Sequence, residues 1–204
     1  VGGYFEAASG GAAAEFDEFE AALLAAYARK ILELVDVPDT ATGTAEDLIA
    51  SAFSEGPTER PADPALARLF PDAYTDLGPD GDAEAASAEF RRYTENDLRA
   101  RKRDDARAVV RALEELFPDD PENLLNPGTR SAAVHLDPDD CRQWLGALND
   151  LRLVMASWLD ITDDEDFDEL MDLDQDDPRA LLVATYGWLT TMQDTLVEAM
   201  MRSL

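Results

Sequence analysis

The sequence predicts a mainly α-helical fold: one compact helical domain over residues 1–204, carrying a small antiparallel sheet of three strands, a hairpin at 4–16 plus a strand at 133–136. Three observations carry this. Long stretches show apolar residues at helical spacing, and several of them open on an aspartate. Ser9-Gly10-Gly11 is a turn signal between two short apolar runs. A unit of strand, Asp cap and amphipathic helix occurs twice, at Ala14-Glu15-Phe16-Asp17 leading to Leu23-Leu24 and at Val134-His135-Leu136-Asp137 leading to Trp144-Leu145. Two copies predict a shared sheet rather than a solenoid, which needs at least three stacked units.

Tyr4-Phe5-Glu6-Ala7 and Ala12–Phe16 form the arms of the hairpin. Asp17 caps the first helix, whose apolar stripe reads Phe19, Ala22, Leu23, Ala26, Tyr27, Ile31 and Leu34. Residues 36–82 are broken by Pro and Gly and read as an irregular connector holding two short helices. One is capped by Thr44, and the other by Asp63 with Pro64 in its first position. Residues 82–93 read as a helix anchored by Phe90. Thr94-Glu95-Asn96-Asp97 resembles a capping box that starts or restarts a long helix reaching Phe117. After Pro118, Pro121 and Pro127, the strand at Val134-His135-Leu136 leads through Asp137-Pro138 into a helix ending near Leu159. A second irregular connector spans 160–177, and Asp177-Pro178 repeats the cap-and-proline signal before the last helix.

The net charge is −28, yet eight of the 17 basic side chains lie within residues 91–111. Such a field repels nucleic acid and anionic membranes. Eleven of the 18 residues from Asp160 to Asp177 are acidic. Asp172, Asp174 and Asp176 have the spacing of a calcium loop, but Asp177 replaces its turn glycine and Val183 its bidentate glutamate, so no metal is assigned. With one Cys (Cys141) and one His (His135), an intrachain disulfide and a multi-histidine metal site are both excluded. No apolar run approaches the ~20 residues of a membrane span. The amino end has no signal-peptide pattern, and the expected location is cytoplasmic.

On a helical wheel, Trp144, Leu145, Leu148, Leu151, Val154, Met155, Trp158 and Leu159 form a core face. Arg152 falls within that face, while Asn149 and Asp150 point away. Leu98, Val109, Val110, Leu113, Leu116 and Phe117 form the core face of the long helix, with Lys102 and Asp105 inside it. A charge on a core face must pair or reach water. Lys102, Asp105 and Arg152 are therefore expected to form an interhelical charge network, Asp105 being the first-choice partner of Arg152. Arg99, Arg103, Arg107 and Arg111 recur every four residues as a stripe, the expected interaction surface for an acidic partner. No glycine-rich phosphate loop, nucleophile elbow or ligand cluster is present, so no catalytic residue and no cofactor are assigned. Cys141 borders an apolar face and is expected to be inert. The last helix is apolar over more of its circumference than one core stripe requires, leaving a buried monomeric helix or a homodimer interface.

Three runs carry a resemblance: Asp63-Pro64-Ala65-Leu66-Ala67-Arg68-Leu69-Phe70-Pro71-Asp72-Ala73-Tyr74, Glu89–Lys102, and Trp144–Leu153. In this order they resemble an uncharacterised actinobacterial domain-of-unknown-function family, encoded beside the adaptor of the Clp protease and a metalloprotease. The resemblance implies no catalytic residue, and members have been labelled regulators of transcription. The sequence thus supports a non-enzymatic cytoplasmic interaction or regulatory protein, linked by gene-neighbour analogy to regulated proteolysis. The alternatives are a small-ligand protein or enzyme with an interhelical pocket near Lys102 and Arg152, and a transcription regulator.

Overall fold

The computed structural model describes residues 2–36, 55–77, 81–118, 130–174 and 176–203. Strands β1 (Glu6–Ala8) and β2 (Gly11–Asp17) pair antiparallel around a turn at Ser9-Gly10, where Gly10 adopts φ +84° at no side-chain cost. Strand β3 (Ser131–Leu136) adds antiparallel to β2, with Ala12 opposite Leu136 and Phe16 opposite Ala132, in the order β1-β2-β3. The expected hairpin and third strand are therefore present, β3 beginning two residues earlier than the sequence suggested. Ala12, Ala14, Phe16, Val134 and Leu136 face the core, while Glu15 and His135 face water.

Each of β2 and β3 runs directly into a helix: α1 (Glu18–Val35) and, after Asp137, Pro138–Trp158. Both junctions carry the expected Asp cap, and each is completed into a capping box, Asp17 with Glu20 and Asp137 with Asp140. Between them lie α2 (Pro64–Leu69), capped by Asp63, and α3 (Ala83–Leu116), capped by Asp82. The Pro138–Trp158 helix is α4; it is followed by α5 (Asp164–Met171) and α6 (Ala180–Arg202). The expected Thr44 cap and its helix lie outside the described residues.

Four local expectations are corrected. In α1 the buried apolar residues are Ala21, Leu24, Ala25, Ala28, Ile31 and Val35, while Phe19 is exposed. So many alanines gave the wheel little contrast, and the close approach of α1 to α3 selects the alanine-lined side. Residues 83–116 form one unbroken helix: Thr94 caps nothing, and its hydroxyl donates back to the Phe90 carbonyl at 2.8 Å. The acidic connector contains α5, started by an Asp163–Asp166 capping box and anchored by Phe167 on Tyr186 with Leu170 and Leu173 beside it. Finally, Asp177 does not cap α6. Its carboxylate accepts from the backbone N–H and guanidinium of Arg179, and the helix begins after that turn.

The main core lies where α1, α3, α4 and α6 meet the inner face of the sheet. Trp144 is its centre, with Phe5 edge-on at 5.7 Å and Phe16 at 6.0 Å. Leu189, Met192 and Leu196 bury the inner face of α6, whereas Leu181, Val197 and Met201 remain exposed. Among the described residues, no helix is long and apolar enough to cross a membrane.

Candidate functional site

Arg91, Glu95, Arg99, Lys102 and Asp105 recur at intervals of three and four, so the 34-residue α3 places them in one sector. That sector faces inward. Arg91 and Glu95 are buried, and Arg91 donates to Glu95 Oε2 at 2.6 Å, to Asp72 Oδ1 at 2.8 Å and to the Phe70 carbonyl at 3.1 Å. The other Glu95 oxygen accepts from Arg99 Nε at 2.8 Å. The Arg99 guanidinium lies 4.3 Å above the Phe70 ring and donates to the Val35 carbonyl at 3.2 Å. Burial alone would lower the Arg91 pKa, but its bonds to Glu95 and Asp72 outweigh this and hold it above the ordinary arginine value.

One turn further along, Lys102 Nζ meets Asp150 Oδ1 of α4 at 2.5 Å, with both side chains nearly sealed from water. Burial raises the Asp150 pKa against the pull of Lys102. Asp105 is also buried, 4.0 Å from Arg101, in space that exists because residue 146 is glycine. A Cβ there would stand 2.5 Å from Asp105 Oδ2. Desolvation lifts the Asp105 carboxyl to about 6, opposed by Arg101 and Lys102 and reinforced by Asp150 and Asp104.

Lys102 thus pairs with Asp150 and Asp105 lies beside Arg101, whereas Arg152 takes no part in this cluster. Arg152 stands two residues from Asp150, about 200° around α4, and so points to the other flank. There its Nε donates to Thr190 Oγ1 at 3.0 Å and its Nη1 to Gln193 Oε1 at 2.7 Å, over the Tyr186 ring. The expected Asp105–Arg152 pair is absent, and Lys102 and Arg152 lie on opposite flanks of α4. Asp150, read from the wheel as pointing away, is the buried partner of Lys102. Its signal was available: it pairs with the one lysine on the inward face of α3.

The arginine row divides along its length. An i, i+4 row drifts ~40° per step, so it starts against the core and ends in solvent. Arg99 belongs to the buried network. Arg103 pairs with Asp36 at 3.3 Å and Arg107 with Asp104 at 3.7 Å, and Arg111 is exposed. Cys141 is buried, its Sγ 3.8 Å from the Leu136 carbonyl, and burial raises its thiol pKa.

Two hollows lie nearby. A groove of about 570 Å³ between α1 and the end of α3 is lined by Ala21, Ala25, Arg29, Leu113 and Phe117. A small hollow of about 40 Å³ lies above the network, between Phe70, Phe90, Thr94 and Leu98. Among the described residues, no group of His, Cys, Asp and Glu side chains is placed to hold a metal.

The network joins the three runs singled out in the sequence, since Asp72, Arg91–Lys102 and Asp150 each come from a different one. The family described as Domain of unknown function (DUF2017) matches residues 3–200, and the chain belongs to that family. It is 30% identical over 186 residues to a protein of Mycobacterium tuberculosis named "Oxidative stress regulator AosR", covering 90% of this chain and 79% of that one. The match to a protein of the same name from Mycobacterium bovis has the same identity and coverage. No solved structure matches the chain significantly.

Proposed function

We propose that this member of the family is a non-enzymatic regulator in the response to oxidants, cytoplasmic, and acting by contact with another protein. One observation carries the reading beyond the names of its relatives. Six charged side chains of the three characteristic runs are turned on one another: Arg91 on Glu95 and Asp72, Arg99 on Glu95, and Lys102 on Asp150. Charges so paired and buried fix one arrangement of α2, α3 and α4, which suits a rigid surface for recognition. Cys141 is a poor oxidant sensor, because reactivity follows the thiolate and burial holds this thiol protonated. The proposed response therefore reaches this protein through a partner.

The net charge of −28 argues against direct contact with nucleic acid. Deleting the gene in its host and comparing transcripts with and without peroxide tests the regulatory reading. A set of peroxide-responsive transcripts should change, and an unchanged profile would overturn it. The gene-neighbour analogy extends the reading to regulated proteolysis. Slower or faster turnover of a Clp-tagged reporter in the same deletion would support that extension, and unchanged turnover would remove it.

A further inference from the structure

The face of α3 beside the buried network is apolar and open to water. Phe90 is 48% exposed, Tyr74 41%, Leu77 45% and Leu98 37%. At ~150–250 Å² for an aromatic side chain, this is a patch on the order of 300–400 Å², within the range of the largest apolar patches on monomers, which are often functional. The patch is held rigid. Tyr74 packs edge-on against Phe90 at 6.1 Å, and its backbone N–H and carbonyl are clamped by the Ser87 hydroxyl at 3.0 and 2.9 Å. Arg91 fixes the same segment through the Phe70 carbonyl and Asp72. The 40 Å³ hollow opens within this patch, floored by Phe70 and the Arg91–Glu95 pair. It has room for about three waters, or for the branched end of one aliphatic side chain.

The charge around the patch is predominantly acidic; Arg101, exposed one turn past Leu98 and 4.0 Å from Asp105, is the exception. Arg60, Arg91, Arg92 and Arg99 are each held by a carboxylate of this chain: Asp72, Asp72 with Glu95, Glu55, and Glu95 respectively. Glu89 and Asp97, on α3 beside Phe90 and Leu98, are exposed and make no salt bridge among the described residues. A second copy of the chain would bring an identical acidic rim and another −28 to the contact. We propose that this face is the docking site for a basic segment of a partner protein, with an aliphatic anchor seated between Phe70, Phe90 and Leu98 and flanking Lys or Arg side chains over Glu89 and Asp97. This names the surface for the regulator proposed above and rests on that reading.

The test uses the full chain and two 16-residue amphipathic peptides of one pattern, Leu with Lys and Leu with Glu, followed by amide chemical shifts. The Leu/Lys peptide should move the amides of Tyr74, Leu77, Phe90 and Leu98 and saturate, and the Leu/Glu peptide should move none. Phe90→Ser should weaken binding tenfold or more while melting like the parent. Phe19→Ser, a change at a still more exposed aromatic elsewhere, should bind normally. Shifts confined to the acidic residues 160–177, or a Phe90→Ser affinity within twofold of the parent, would overturn the proposal. In the host, a Phe90→Ser allele that restores a deletion's transcript response would overturn this surface and leave the regulatory reading intact. Peptide docking at Phe90 combined with an unchanged deletion profile would do the reverse.

Discussion

Asp105→Asn should stabilise the protein at neutral pH, and the size of the gain follows from where the carboxyl sits. Asp105 is buried between α3 and Gly146 of α4, faced by Arg101, Lys102 and Asp104 from its own helix and by Asp150 across the interface. Its carboxyl rises from 3.8 to about 6, chiefly by desolvation. Because the folded value lies above the unfolded one, the native state holds the extra proton. The stabilising contribution is complete below about pH 4 and is lost as pH rises through about 6. At about 1.4 kcal/mol per tenfold change in proton affinity, the carboxylate burdens the native state at pH 7 by at most about 3 kcal/mol. Asparagine has the same shape and no charge, so it removes that burden and fits the space beside Gly146. Urea unfolding followed by circular dichroism at pH 4, 5, 6 and 7 should show the variant and parent nearly equal at pH 4. By pH 7 the variant should lead by about 2–3 kcal/mol, a gain of roughly 4–12 °C in Tm for a chain of this size. A constant difference across that range, or a variant less stable than the parent at pH 7, would refute the reasoning.

Three further outcomes are expected. Lys102→Met strands a buried Asp150 and should cost about 3–5 kcal/mol at pH 7. That deficit should shrink as acid protonates Asp150, and a Lys102→Met, Asp150→Leu double variant should recover most of it in the same unfolding assay. Arg152→Ala should cost only about 1–2 kcal/mol, because it removes bonds to neutral Thr190 and Gln193 and leaves no carboxylate stranded; calorimetric melting that shows a larger loss would point to a charged partner. Asp137→Ala removes the acceptor for the Asp139 and Asp140 N–H groups and should lower stability by about 1–2 kcal/mol, read as a drop in Tm.

What could be read from the sequence was local. Asp17, Asp63 and Asp137 sit within four residues of the groups they cap, and Pro64 and Pro138 fix the next backbone angle, so these helix starts and the sheet that joins two of them were legible. What failed needed a neighbour. Thr94 looked like a cap because its own spacing allowed one, yet Arg91–Glu95–Arg99 pairing runs straight through it and keeps α3 whole. Phe90 looked like a core anchor because aromatics usually are, but Arg91, one residue on, takes the inward position. α5 was hidden by its composition, since eight residues dominated by acid hold only Phe167, Leu170 and Met171 as apolar signal. In the candidate network, Lys102 and Asp105 are legible because they interrupt an apolar face of α3, whereas Asp150 lies off the leucine-rich face of α4 and is buried only by the helix it meets.

The cluster of basic residues at 91–111 has a physical reason to exist in so acidic a chain. A carboxylate on the surface of a protein carrying −28 is solvated, but one carried into the core by packing needs a cation beside it. Glu95 and Asp150 are such carboxylates, Asp72 joins them from the edge, and Arg91, Arg99 and Lys102 are their counter-charges, all presented by a single helix. The same helix turns its next cations outward as its four-residue row drifts, to Asp36, Asp104 and finally solvent. One sequence feature therefore serves two environments that respond differently to salt. Exposed pairs such as Arg103–Asp36 and Arg107–Asp104 are screened at physiological ionic strength and are worth well under ~1 kcal/mol each. The buried pairs are shielded from that screening and keep α2, α3 and α4 in register. It follows that raising salt should leave the face around Phe90 intact while weakening whatever basic segment it holds, because that segment's charges lie at the exposed rim and its anchor does not.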